Sequence, residues 1–141
     1  MIYVIVPLVA TLIAQVSKFF VKSNRLKLSW RNLIAYSGMP SGHAAMTVSL
    51  STVVFLETGW SAILGVSLIL TILTVRDAIG LRRYIGKQGQ VINELVEDLD
   101  EDELLDEKYP HLAERLGHTK KQALAGAIIG LAVGWIGFLL F

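Results

Sequence analysis

The stretch QALAGAIIGLAVGWIGFLLF (122–141) contains no charged side chain. As a helix rising ~1.5 Å per residue it extends ~30 Å, the hydrocarbon thickness of a bilayer. Gly126, Gly130 and Gly134 recur every four residues, so they stack along one face where a second helix can approach closely. The stretch therefore reads as a membrane-crossing helix with a packing stripe. The same stripe permits a homodimer.

Three more charge-free stretches lie upstream. Residues 1–17 run unbroken to Lys18, residues 44–56 follow Ser41-Gly42-His43, and residues 58–75 begin beside Trp60, an interfacial anchor. The second is short and rich in Ser and Thr, which suits a helix buried among other helices. In the first, positive charge follows the apolar core instead of preceding it, so this segment is expected to stay as a helix rather than be cleaved as a signal. With 53% hydrophobic residues and a mean hydropathy of +0.55, the 141-residue chain is too apolar for an ordinary soluble domain. The expected fold is all-α, a polytopic membrane helix bundle of about four transmembrane helices (near 2–20, 42–57, 59–76 and 122–141) in a single domain, 1–141, plus an amphipathic cytoplasmic helix.

All 13 Lys and Arg residues fall in two intervals, 18–43 and 76–121. Four spans place both intervals on one side, and the positive-inside rule makes that side cytoplasmic in a multi-pass protein of the cell membrane. The net charge of +1 gives no reason to expect a nucleic-acid partner. Absence of cysteine excludes disulfides, a thiolate nucleophile and cysteine metal sites. An acidic insertion (88–116) carries nine carboxylates between Asn93 and Glu107. Val91, Ile92, Leu95, Val96 and Leu99 recur there at helical spacing and predict an amphipathic helix. Without calcium-loop spacing, the acidic residues and His111 read as a solvated or partner-docking surface, and no metal is expected.

Chemistry concentrates in three blocks. Pro40-Ser41-Gly42-His43 opens the second apolar stretch, where free backbone N–H groups and the helix dipole attract anions. An N-cap serine beside an interfacial histidine accounts for the block equally well. Gly117-His118-Thr119 opens the fourth stretch; Thr119 and Gln122 form a capping-box pattern, whereas His118 has no such structural role. Basic residues complete the set: Lys18 after the first stretch, and Asp77, Arg82 and Arg83 after the third. Arginine grips phosphate in a planar fork, although contact with anionic lipid also accounts for these charges.

Lys18-x6-Arg25, Pro40-Ser41-Gly42-His43 and a later Gly117-His118 with Ala125-Gly126 behind it resemble the type 2 phosphatidic acid phosphatase and vanadium-dependent haloperoxidase superfamily. Asp77-Ala78-x-Gly80-x-Arg82-Arg83 followed by Gly117-His118-Thr119 is similar to its small divergent, acid phosphatase/vanadium-dependent haloperoxidase-related subgroup. The resemblance spans residues 18 to about 130. It implies a metal-independent phosphohydrolase acting on a lipid or polyprenyl phosphomonoester or diphosphate, with His118 as nucleophile and His43 as the acid for the leaving oxygen. It further implies phosphate binding by Lys18, Ser41, Gly42, Arg82 and Arg83, with Asp77 and Gln122 in support. No cofactor is implied, although phosphate or vanadate fits such a site. The physical logic is that a phosphohistidine splits one slow hydrolysis into two easier steps.

The chain departs from the superfamily pattern in reading Arg25-Leu26 where Arg-Pro is usual, and Gln122 where a carboxylate follows the nucleophile. An amide can orient an imidazole but cannot stabilise its cation by charge. A catalytically weak or inactive lipid-phosphate-binding or scaffold protein is the alternative expectation.

Overall fold

The computed structural model describes residues 1–21, 38–98, 111–114 and 116–141. Within them the chain is all-helical: α1 (Ile2–Ser17), a 3-10 turn (Lys18–Phe20), α2 (Gly42–Thr58), α3 (Ala62–Ile79), α4 (Leu81–Asp98) and α5 (Lys120–Leu140). Three continuous segments are long and apolar enough to cross a membrane: Ile2–Phe20, Ala62–Glu97 and Lys120–Leu140. The expected fourth, α2, is one 17-residue helix packed by α1, α3 and α5. Its central position explains its composition. Ala44, Ala45, Thr47, Ser49 and Ser51 are all buried, and small residues let three neighbours approach one helix.

Serine and threonine in these helices spend their hydroxyls internally. Thr47 and Thr52 donate to carbonyls one turn back, and Thr71 of α3 donates to the Thr47 carbonyl while sitting 2.9 Å from the Ser51 hydroxyl. Hydroxyls paired this way cost little in an apolar surround and tie α3 to α2.

The glycine stripe faces α2. A Cβ on Gly130 would lie 2.6 Å from the Ala45 carbonyl oxygen, and one on Gly134 would lie 2.8 Å from Thr52 Cβ. Gly126 meets the backbone of Ser41 and Gly137 meets Val6. The stripe therefore packs inside the bundle and is not available to a second copy. The order of these contacts makes α2 and α5 parallel, with α1 antiparallel to both. Tyr3, donating to Glu57 at 2.7 Å, closes the far end.

At the other end converge the C-termini of α1 and α3 and the N-termini of α2 and α5. Only Gly80 separates α3 from α4, which is helical from Leu81, seven residues before the expected insertion begins. One face of α4 seats the returning chain: Gly86 lies against the backbone of Glu114 and Leu116 and Gly89 against that of Ala113, and buried Asn93 donates to the Leu112 carbonyl while accepting from the Leu112 N–H. The Asn93 amide nitrogen is also within 2.9 Å of His111 Nδ1 and Glu114 Oε1. His111 itself is exposed. Leu99 and the acidic residues of 100–107 lie outside the described residues, as do Lys22, Arg25, Lys27 and Arg31.

Candidate active site at the basic end of the bundle

Ser41 caps α2, its hydroxyl accepting from the Ala44 N–H at 3.4 Å and its own N–H donating to the Gln122 carbonyl at 3.0 Å. Two helix N-termini are thereby locked side by side. Gly42, first residue of α2, leaves its Cα open to the Thr11 and Gln15 side chains of α1, 3.7 Å from where a Cβ would stand. One turn beyond Gln15, Lys18 is only 2% exposed. Burying an ammonium costs free energy unless negative or polar groups surround it, and this one lies at the end of the bundle where the two histidines stand, its charge acting on both.

Gly117 explains why the Asp77–Arg83 and Gly117–Thr119 blocks occur together. Its φ of 79° suits glycine, and a side chain there would collide with the Ala78 carbonyl and the Arg83 nitrogen, each 2.8 Å away. The next residue locks the turn, His118 N–H donating to the Ala78 carbonyl at 2.8 Å. A contact between residues 40 positions apart thus fixes the ring of His118 over the bundle end.

The His118 ring is buried, 3% exposed, and its centre lies 6.1 Å from that of His43 with the planes tilted by 59°. His118 Nδ1 is 3.1 Å from the Gly38 carbonyl oxygen. A carbonyl only accepts, so Nδ1 carries the proton and Nε2 keeps its lone pair. Burial pushes the His118 pKa down to about 4, with the charges of Lys18, His43 and Arg82 acting in the same direction and the Gly38 carbonyl opposing them. The ring is consequently neutral near pH 7, the state a nucleophilic imidazole requires.

The two arginines separate. Arg82 Nε donates to Asp77 Oδ2 at 2.6 Å, and its charge acts on both histidines. Arg83 lines a different cavity, with Ile79, Gly80, Tyr84 and Lys87. Asp77 accordingly aims Arg82. Gln122 is committed elsewhere: its Oε1 accepts from the Thr119 N–H at 2.8 Å, completing the capping box, and the acceptor for the His118 ring is Gly38. Lys18, Ser41, Gly42, His43, Arg82 and His118 come together, whereas Arg83 and the Gln122 amide face other partners.

Residues 2–133 match the family described as Divergent PAP2 family. The chain belongs to the Divergent PAP2 family. A relative within reach is the uncharacterized membrane protein YuiD of Bacillus subtilis (strain 168), 39% identical over 137 residues, covering 88% of this chain and 85% of that protein. No solved structure matches. In this divergent PAP2 member, two contributors have no motif to announce them. Gly38 supplies the ring acceptor from outside the Pro40–His43 block. Gln15, beside Gly42, has a buried Oε1 with no hydrogen-bond partner among the described residues. Its spacing of three from Lys18, on one helical face, is the signal that points to it.

Proposed function

We propose that this protein is a PAP2-like membrane phosphohydrolase that cleaves a phosphomonoester or diphosphate of a lipid or polyprenyl substrate through a phosphohistidine on His118. The observation that carries this reading is the His118 ring itself, buried and neutral, with Nδ1 donating to Gly38, Nε2 left as a lone pair, and the His43 ring centred 6.1 Å away. Lys18, Arg82, the Ser41 hydroxyl and the Gly42 N–H hold the phosphoryl oxygens and stabilise the charge that builds on them. Nε2 of His118 attacks phosphorus as the bond to the leaving oxygen breaks, and His43 delivers a proton to that oxygen. Water, deprotonated by His43, then cleaves the phosphorus–nitrogen bond to release phosphate and restore the imidazole.

The separation of the rings excludes a direct hydrogen bond between them and leaves room for the phosphoryl group. The substrate's tail lies in the bilayer, its phosphate at the bundle end, and the positive-inside rule puts that end in the cytoplasm of a cell-membrane protein. The reaction uses no metal.

A second reading, a lipid-phosphate-binding protein with little turnover, is favoured by one observation: the partner of His118 Nδ1 is a neutral carbonyl, which orients the ring without stabilising its cation as a carboxylate does. Phosphate release from a panel of lipid and polyprenyl phosphates, by detergent-purified wild type and His118→Ala with and without chelator, separates the two. Release that vanishes in the variant and ignores chelator supports hydrolysis. Vanadate binding by the wild type with no release from any substrate supports the second reading.

A further inference from the structure

We propose that the α3–α4 corner holds the headgroup phosphate of an anionic membrane phospholipid, in a site separate from the histidine pair. A cavity of about 190 Å³ opens there, lined by Ile79, Gly80, Arg83, Tyr84 and Lys87. None of these residues except Arg83 was expected at a phosphate site, and the cavity shares no lining residue with the cluster around His118. Arg83 and Lys87 lie one helical turn apart on α4, and among the described residues neither pairs with a carboxylate. Two cations and a tyrosine beside one aliphatic side chain suit a phosphodiester, because guanidinium and ammonium groups take its oxygens while Ile79 meets the glycerol and first methylenes.

Position identifies the occupant as a lipid. The cavity lies where α3, whose Ile63, Val66, Ile69, Ile72 and Leu73 are exposed, gives way to α4. On α4, Leu81, Tyr84, Ile85, Val91, Ile92 and Leu95 are exposed along one side, within about 80° of a common direction at 3.6 residues per turn. An apolar stripe bordered along one edge by Lys87 and Arg83 and continuous with an apolar spanning helix is the pattern of a helix lying in the headgroup region. Tyr84 is the amphipathic residue expected at that depth. The chemistry required is a phosphodiester monoanion with no headgroup cation to neutralise it, on an apolar body, as in phosphatidylglycerol; this site binds the lipid without turnover, and its existence does not depend on hydrolysis at His118.

Native mass spectrometry of the detergent-purified full chain, offered equal phosphatidylglycerol and phosphatidylcholine, tests the proposal. Replacing both cations (Arg83→Gln with Lys87→Gln) is expected to weaken phosphatidylglycerol retention by roughly 30-fold, about fivefold per charge, with phosphatidylcholine unchanged. Lys120→Gln with Lys121→Gln, which removes the same charge elsewhere, is expected to leave retention intact, and millimolar inorganic phosphate is expected not to displace the lipid. Equal retention by wild type and the cavity variant overturns the site. An equal loss in the Lys120 and Lys121 variant overturns it in favour of diffuse charge attraction, and displacement by inorganic phosphate overturns the lipid assignment.

Discussion

Substituting Gly126 by alanine probes the contact that sets the distance between the proposed phosphate cradle at Ser41-Gly42 and the proposed nucleophile His118. A Cβ there would stand 3.0 Å from the Ser41 carbonyl carbon and 3.1 Å from its nitrogen, and nearer still to its oxygen. All three atoms are backbone, so no rotamer change relieves the overlap. Carbon atoms pack at about 3.5–4.0 Å, so α5 and the start of α2 must separate by several tenths of an ångström to about 1 Å. Overpacking of this kind costs about 1–3 kcal/mol, against which the alanine recovers about 1 kcal/mol of helix propensity. Stretching the bond from the Ser41 N–H to the Gln122 carbonyl adds about 1 kcal/mol. The net loss is about 2 kcal/mol, or roughly 6 °C in Tm for a chain of this size. A shift near 1 Å between Ser41-Gly42 and His118 also lowers turnover by roughly 100-fold.

Gly65→Ala is the matched control, because a Cβ at Gly65 meets nothing within 4 Å. It keeps the propensity gain with no overlap. Thermal unfolding in detergent and phosphate release, measured on both variants, decide the matter. A Gly126→Ala protein as stable as Gly65→Ala would refute the packing argument.

Three further outcomes are expected. Because the His118 pKa sits at about 4, the acid limb of kcat/KM that its protonation sets falls near pH 4. The same group has its pKa depressed on folding, so its contribution to stability is complete above the unfolded value of about 6.5 and is lost as pH falls through 4. An acid limb at 6.5, by pH-rate profile, removes the burial argument. Gln122→Glu retains the capping box and sits at a favourable helix N-terminus, so Tm holds or rises and turnover stays within about twofold of wild type or rises; Gln122→Ala loses about 1 kcal/mol of capping, read by thermal unfolding. Asn93→Ala leaves the Leu112 N–H and carbonyl without their partner, at a cost of about 1–3 kcal/mol, and hydrogen exchange is expected to rise across residues 111–118 while α1 and α2 stay protected.

The sequence was informative wherever a signal is local. Charge-free length marks α1, α3 and α5, because a bilayer imposes one on any spanning helix. Serine and threonine content marks α2 as interior, and the order of the Lys18, Pro40–His43, Asp77–Arg83 and Gly117–Thr119 blocks is enough to recognise the divergent PAP2 relationship. The capping role of Thr119 and Gln122 was equally legible, since a capping box closes within four residues.

Distance along the chain is what hid the rest. Gly38 and His118 are 80 positions apart, and no periodicity states which carbonyl a ring nitrogen will meet. Arg82 and Arg83 look interchangeable as neighbours, yet a turn of ~100° between successive residues sends one toward Asp77 and the histidines and the other into a separate cavity. Gly126, Gly130 and Gly134 announce close packing without naming a partner, and only the parallel seating of α5 on α2 assigns it within the chain. Composition and spacing thus determine the helices, the membrane environment and the chemical vocabulary of the site. The hydrogen bond that sets the histidine tautomer, the arginine that reaches the site and the surface left for other molecules are decided by helix seating to within about an ångström, the scale on which hydrogen bonds form or fail.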